Sequence, residues 1–95
     1  MKKIIDIIKE ANTHGQHYVT IANYEKATKI NLSTQGLDEE LPEIGDVVSN
    51  GEQDMTVKSY NIFENRVGIA FMEFDALVSA SQLIQMLDDG ICWVK

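Results

Sequence analysis

Met55-Thr56-Val57-Lys58-Ser59-Tyr60-Asn61-Ile62-Phe63 and Val67-Gly68-Ile69-Ala70-Phe71-Met72-Glu73-Phe74 are two runs rich in β-branched and aromatic residues, separated by Glu64-Asn65-Arg66. Such residues fit a pleated, half-buried surface, and so short a connection joins them as an antiparallel hairpin. In the second run Val67, Ile69 and Phe71 share one face while Ala70, Met72 and Phe74 share the other. Apolar residues on both faces mark a central strand covered on both sides, so helices and further strands must flank it.

The residues that follow supply one helix. Ser79-Ala80-Ser81-Gln82 matches a capping box, in which the Ser79 hydroxyl accepts the Gln82 amide proton and the Gln82 side chain reaches back to the Ser79 amide. Val78 and Leu83 occupy the positions of a hydrophobic staple. The helix they open runs over about 80–89 and turns Ala80, Leu83, Ile84 and Leu87 inward, with Gly90 as the left-handed closing residue. Asp88 and Asp89 in its last turn oppose the helix dipole. Ile91-Cys92-Trp93-Val94 then reads as a last strand, and its lone cysteine suits a buried, reduced thiol better than a nucleophile.

Upstream, residues 2–12 place Ile4, Ile5, Ile7, Ile8 and Ala11 on one side of an amphipathic helix. Residues 16–24 favour a strand through Tyr18, Val19, Thr20 and Ile21. Thr28, Ile30 and Leu32 then alternate with polar residues, which predicts a hairpin turning near Glu25-Lys26, with a short helical turn over 23–29 as the competing form. Between these elements and the 55–74 hairpin, Leu37, Leu41, Ile44, Val47 and Val48 recur every few residues. They suit a stapled loop, or a short helix followed by a strand fragment, because Pro42 and Gly45 forbid one continuous helix. The expected fold is therefore α+β, one domain over 1–95 in the order α-β-β-(acidic excursion)-β-β-α-β. It would hold a mostly antiparallel sheet of about 4–5 strands packed by two helices.

Charge is segregated along the chain. From Ile30 to Val57 there are seven acids, Asp38, Glu39, Glu40, Glu43, Asp46, Glu52 and Asp54, and no Lys or Arg; elsewhere eight acids balance eight bases. The whole net charge of −7 thus arises in one segment. Two readings compete: a solvated loop that keeps the protein soluble, or a surface that docks on a positively charged partner. A calcium loop requires a regular D-x-[DN]-x-[DN]-G-x₅-E order that these acids lack. Direct nucleic-acid binding needs a basic stripe, which is missing as well.

With 44% hydrophobic and 24% charged residues the chain has ordinary globular composition and should fold alone. No apolar run approaches the roughly 20 residues that cross a bilayer, and Asp6, Lys9 and Glu10 interrupt anything resembling a secretory signal, so a cytoplasmic protein is expected, with no membrane partner. His14 and His17 have H-x-x-H spacing but fall where the first helix has ended, with no Cys or acid beside them, so they read as surface histidines. Glu73 and Asp75, near the start of the second helix, lack an accompanying nucleophile or base and read as surface charges. With neither a phosphate loop nor a nucleophile elbow, the chain is expected to act by binding, with no metal or cofactor. Trp93, Tyr18, Tyr24 and Tyr60 suit either a core or an interface.

The hairpin reading of His17-Tyr18-Val19-Thr20-Ile21-Ala22-Asn23-Tyr24-Glu25-Lys26, continuing to Lys29-Ile30, together with Phe74-Asp75 leading into Ser81-Gln82-Leu83, resembles the strand-strand and strand-helix arrangement of some small anti-CRISPR proteins encoded by phages and mobile elements. It is a likeness of pattern over part of the chain. It implies a stoichiometric inhibitor that covers a basic nucleic-acid-binding surface of an RNA-guided effector, carboxylates standing in for phosphates. Asp38, Glu39, Glu40, Glu43 and Asp46 are the residues expected to make that contact. An immunity protein that neutralises a toxin nuclease would use the same electrostatics. A structural or assembly module would instead leave the acids inert and form a homo-oligomer through Trp93 or the helix faces.

Overall fold

The computed structural model describes residues 1–11, 18–20, 36–63 and 66–95. Its elements in chain order are β1 (Lys2–Lys3), α1 (Ile4–Ala11), β2 (Tyr18–Thr20), β3 (Glu40–Leu41), β4 (Val47–Ser49), β5 (Asp54–Phe63), β6 (Arg66–Phe71), β7 (Phe74–Ser79), α2 (Ala80–Asp88) and β8 (Trp93–Val94). The class is α+β. The main sheet has the order β7-β6-β5-β4-β8, and all of those pairings are antiparallel. β2 adds to β5 in parallel, while β1 and β3 form a separate two-stranded ribbon.

The 55–74 hairpin is the backbone of this sheet, with one correction. The second strand stops at Phe71; Met72-Glu73 forms a tight turn, and Phe74 begins a further strand that runs to Ser79. Val78, still the residue before the helix N-cap, lies in that strand paired with Ile69, and Glu73 and Asp75 lie at a β-turn and in a strand, not beside a helix. β6 is flanked by β5 and β7 and so is central in the sheet, but Met72 and Phe74, two of the three residues of its second apolar face, lie outside it, Met72 exposed in the turn.

β5 carries a device that keeps its inward residues inward. Val57 and Tyr60 are three residues apart and would face opposite sides of a regular strand, yet both are fully buried. The register shifts between Val57, opposite Phe71, and Ser59, opposite Ala70, so Lys58 is an inserted residue. The bulge restores the alternation, and Val57, Tyr60 and Ile62 all enter the core.

That core joins the sheet to both helices. Ile4 and Ile7 of α1, Ala80 and Leu83 of α2, and Val67, Ile69 and Phe71 of β6 belong to one buried cluster with Leu41, Val48 and Cys92. Each fully buried Ile or Leu contributes roughly 1.5–3 kcal/mol. Helix α2 starts at the expected place: the N-cap is Ser79, whose Oγ accepts the Gln82 N–H at 3.3 Å. It also ends as expected. Gly90, at φ 72°, donates to the Leu87 carbonyl at 3.2 Å, and Ile91 donates to the Met86 carbonyl at 3.0 Å, the paired bonds of a Schellman closure. The Asp89 carboxylate accepts from the Gln85 side chain at 3.0 Å.

Two other expectations change. Lys2 and Lys3 belong to a strand and not to the first helix, which begins at Ile4. The first hairpin is described only over Tyr18–Thr20, which lies alongside Tyr60–Ile62 in parallel; its expected return strand over 28–33, the alternative helical turn over 23–29, and His14, His17 and Tyr24 lie outside the described residues. No described helix is long and apolar enough to cross a membrane. Cys92 is a free, buried thiol, and burial pushes its pKa up, away from reactivity.

Candidate functional site

The acidic excursion is built into the fold at both ends. Lys3, which precedes helix α1, has no side-chain acceptor to cap its first turn, and the backbone of the excursion accepts there instead: the Ile4 N–H donates to the Glu39 carbonyl at 2.9 Å and the Ile5 N–H to the Leu37 carbonyl at 3.0 Å. β3 then pairs with β1, setting Glu40 opposite Lys3 and Leu41 opposite Lys2. Leu41 and Pro42 are buried, and the Pro42 carbonyl accepts the Tyr60 hydroxyl at 2.6 Å. Beyond Pro42 the chain closes a turn in which the Asp46 side chain accepts the Glu43 N–H at 2.9 Å and the Asp46 N–H returns to the Glu43 carbonyl at 3.0 Å. Gly45 donates to Val57 and Val57 donates to Asp46, both at 2.9 Å, which fastens the turn to β5.

Of the two forms expected here, a stapled loop or a short helix before a strand fragment, the helix is absent between Gly36 and Ser49, where two short strands and turns stand. The strand fragment is real: Val47–Ser49 is β4. Apolar residues of the excursion fall on core-facing positions, Leu41 and Val48 wholly buried and Ile44 packed against the cluster, while Leu37 stays exposed.

The five acids expected to bind a partner divide by exposure. Asp38, Glu40 and Glu43 are exposed; Glu39 and Asp46 are half-buried. Asp46 is spent on closing its turn. Glu39 Oε2 is buried with no hydrogen-bond partner among the described residues. Asp38, Glu39 and Glu40 sit beside the first turn of α1, where the partial positive charge of a helix N-terminus favours carboxylates. Glu43 lies 3.5 Å from the N-terminal ammonium.

Segregation in sequence is thus softened in space. The N-terminal ammonium lies 3.5 Å from Glu43 and Lys95 reaches Asp54 at 2.9 Å, so positive charge from both ends of the chain meets the acidic segment, while the Lys2 ammonium is paired with Glu10 outside it. Both contacts are exposed to solvent, and exposed pairs of this kind contribute little to stability. The Lys95 ammonium, followed by the Ser49 hydroxyl, holds the Asp54 carboxyl below its ordinary value.

Two further residues carry structure that their local sequence does not advertise. Glu73, in the β6–β7 turn, accepts the Thr56 N–H at 2.6 Å and the Thr56 hydroxyl at 2.9 Å, and the backbone bond in particular lowers its pKa. Trp93 is 47% exposed on β8, resting against the β4–β5 turn. Among the described residues no three His, Cys, Asp or Glu side chains converge as a metal site would require.

The arrangement offers carboxylates on a tied-down ribbon. Comparison of the chain with protein-family models, with curated proteins and with solved structures finds no match to any of them.

Proposed function

We propose that the chain is a small cytoplasmic inhibitor that acts by binding, of the anti-CRISPR kind, and covers a basic nucleic-acid-binding surface of its target. One observation carries this reading: Asp38, Glu40 and Glu43 are exposed on a ribbon whose backbone is held by α1, β1 and the Tyr60 hydroxyl. Carboxylates on a backbone already fixed lose little conformational entropy on docking, whereas a floppy acidic loop would lose much of it. A purely solubilising segment has no need of that anchoring. Net charge of −7 adds long-range steering toward a basic groove.

The reading is tested by capturing the partner from host lysate, identifying it, and titrating single-stranded nucleic acid against the complex. Mutually exclusive binding of protein and nucleic acid is the expected result. A ternary complex of unchanged affinity contradicts it.

A further inference from the structure

Residues 91–95 alternate cleanly. Cys92 is buried and Val94 half-buried, while Ile91, Trp93 and Lys95 point outward, Ile91 58% and Trp93 47% exposed. Across β8, β4 and β5, Trp93, Ser49 and Asp54 form one cross-strand row in which Trp93 and Asp54 are exposed and Ser49 between them is buried. Trp93 does not simply overhang the end of the sheet. A Cβ at Gly51 would lie 3.4 Å from its Cη2, so the indole rests on the bare backbone of the β4–β5 turn, where Gly51 has a φ of 91°. The next residue, Glu52, is exposed; its N–H bonds to the Asn50 side chain, and its carboxylate has no ion pair among the described residues. Asp54 is different, being held by Lys95.

We propose that this end of the sheet is a second docking surface, on which Trp93 and Glu52 together receive an arginine side chain of a basic protein partner. A guanidinium stacks on an indole face and presents its edge to a carboxylate, and the two contacts need an aromatic ring beside an unpaired acid. Turn and strand bring the two residues into one neighbourhood, for the indole lies against Gly51 and Glu52 is the next residue along the turn. Charge complementarity selects the occupant: an exposed apolar pair in a chain of net charge −7, with the exposed acid Glu52 in the adjoining turn, favours a cationic side chain over a neutral or acidic one. The surface is separate from Asp38, Glu40 and Glu43, and its existence does not depend on theirs.

The lone tryptophan reports on its own site. The probe is a short capped arginine-glycine peptide, with lysine-glycine and glutamine-glycine peptides as controls, titrated while Trp93 emission is followed. The expected result is a saturable change with arginine, weaker with lysine and absent with glutamine, that fades as salt rises. Glu52→Gln should weaken the arginine response by up to about fivefold, the range of an exposed charge pair. Trp93→Leu, followed through the Gly51 amide resonance, should weaken it by roughly two- to fivefold. The triple variant Asp38→Asn, Glu40→Gln, Glu43→Gln should respond as the wild type does. Three results overturn the proposal: an equal response to glutamine, no response at all, or loss in the triple variant with none in Glu52→Gln, which would transfer the cation to the acidic ribbon. A change in emission with protein concentration alone also overturns it, by assigning the face to a second copy of the chain.

Discussion

The Tyr60 hydroxyl donates to the Pro42 carbonyl at 2.6 Å, tying the fully buried middle of β5 to the ribbon that carries the acids. This hydrogen bond joins the Gly45–Val57 and Val57–Asp46 backbone bonds in linking β5 to the surface assigned to binding. Removing only the hydroxyl leaves a buried carbonyl without its donor, at a cost of about 1–3 kcal/mol. Tyr60→Phe should accordingly lower the urea midpoint without changing the m-value, and speed amide exchange at Leu41 and Asp46 ahead of the rest of the sheet. An unchanged midpoint would mean that water replaces the hydroxyl.

Ser79 supplies the N-cap of α2 through a single bond to the Gln82 amide. Ser79→Ala should cost about 1 kcal/mol, the usual worth of a lost cap. Ser79→Asp should recover most of it by restoring an acceptor at a helix N-terminus. Chemical denaturation of the two variants checks both, and equal loss in the pair would show that the cap contributes nothing.

Glu73 has a pKa below its ordinary 4.5, chiefly because its carboxylate accepts the Thr56 N–H. For an acid whose folded pKa is depressed, the linked stability is present in full above the unfolded value and is lost as pH falls through the folded one. Acid should therefore weaken the fold through this turn below about pH 4.5. Asp54, lowered by Lys95 and Ser49, adds to the same loss nearer its ordinary 3.8. Glu73→Gln keeps an acceptor for Thr56 but removes the charge, so its melting temperature should fall less steeply with acid than that of the wild type. Parallel acid limbs would place the linkage elsewhere.

Alternation made β5 and β6 legible, and the Ser-x-x-Gln pattern and Gly90 placed both ends of α2. What was missed depends on distant contacts. Phe74-Asp75-Ala76-Leu77-Val78 mixes an exposed acid with apolar residues and has no clean period of two, and it becomes a strand because Ile69 and Ala70 offer it an edge to pair with. Lys2 and Lys3 carry no strand signal; they are extended because Glu40 and Leu41 lie opposite. The bulge at Lys58 is hidden because Val57 and Tyr60 suit a strand equally well on either face. In the candidate site, the segregation of charge was visible in the chain, but not that Asp46 closes a turn or that Lys95 returns to Asp54.

Exposed acids contribute little to stability and much to the rate at which a charged partner is found. The most direct test is the association rate of the captured partner with wild type and with the Asp38→Asn, Glu40→Gln, Glu43→Gln variant across a salt series, after unfolding midpoints establish that both are folded. Docking through the ribbon predicts a markedly slower variant, and a wild-type rate that falls as salt shortens the Debye length to about 8 Å at physiological ionic strength. Equal rates at every salt concentration would contradict it and leave the excursion as a solubilising segment.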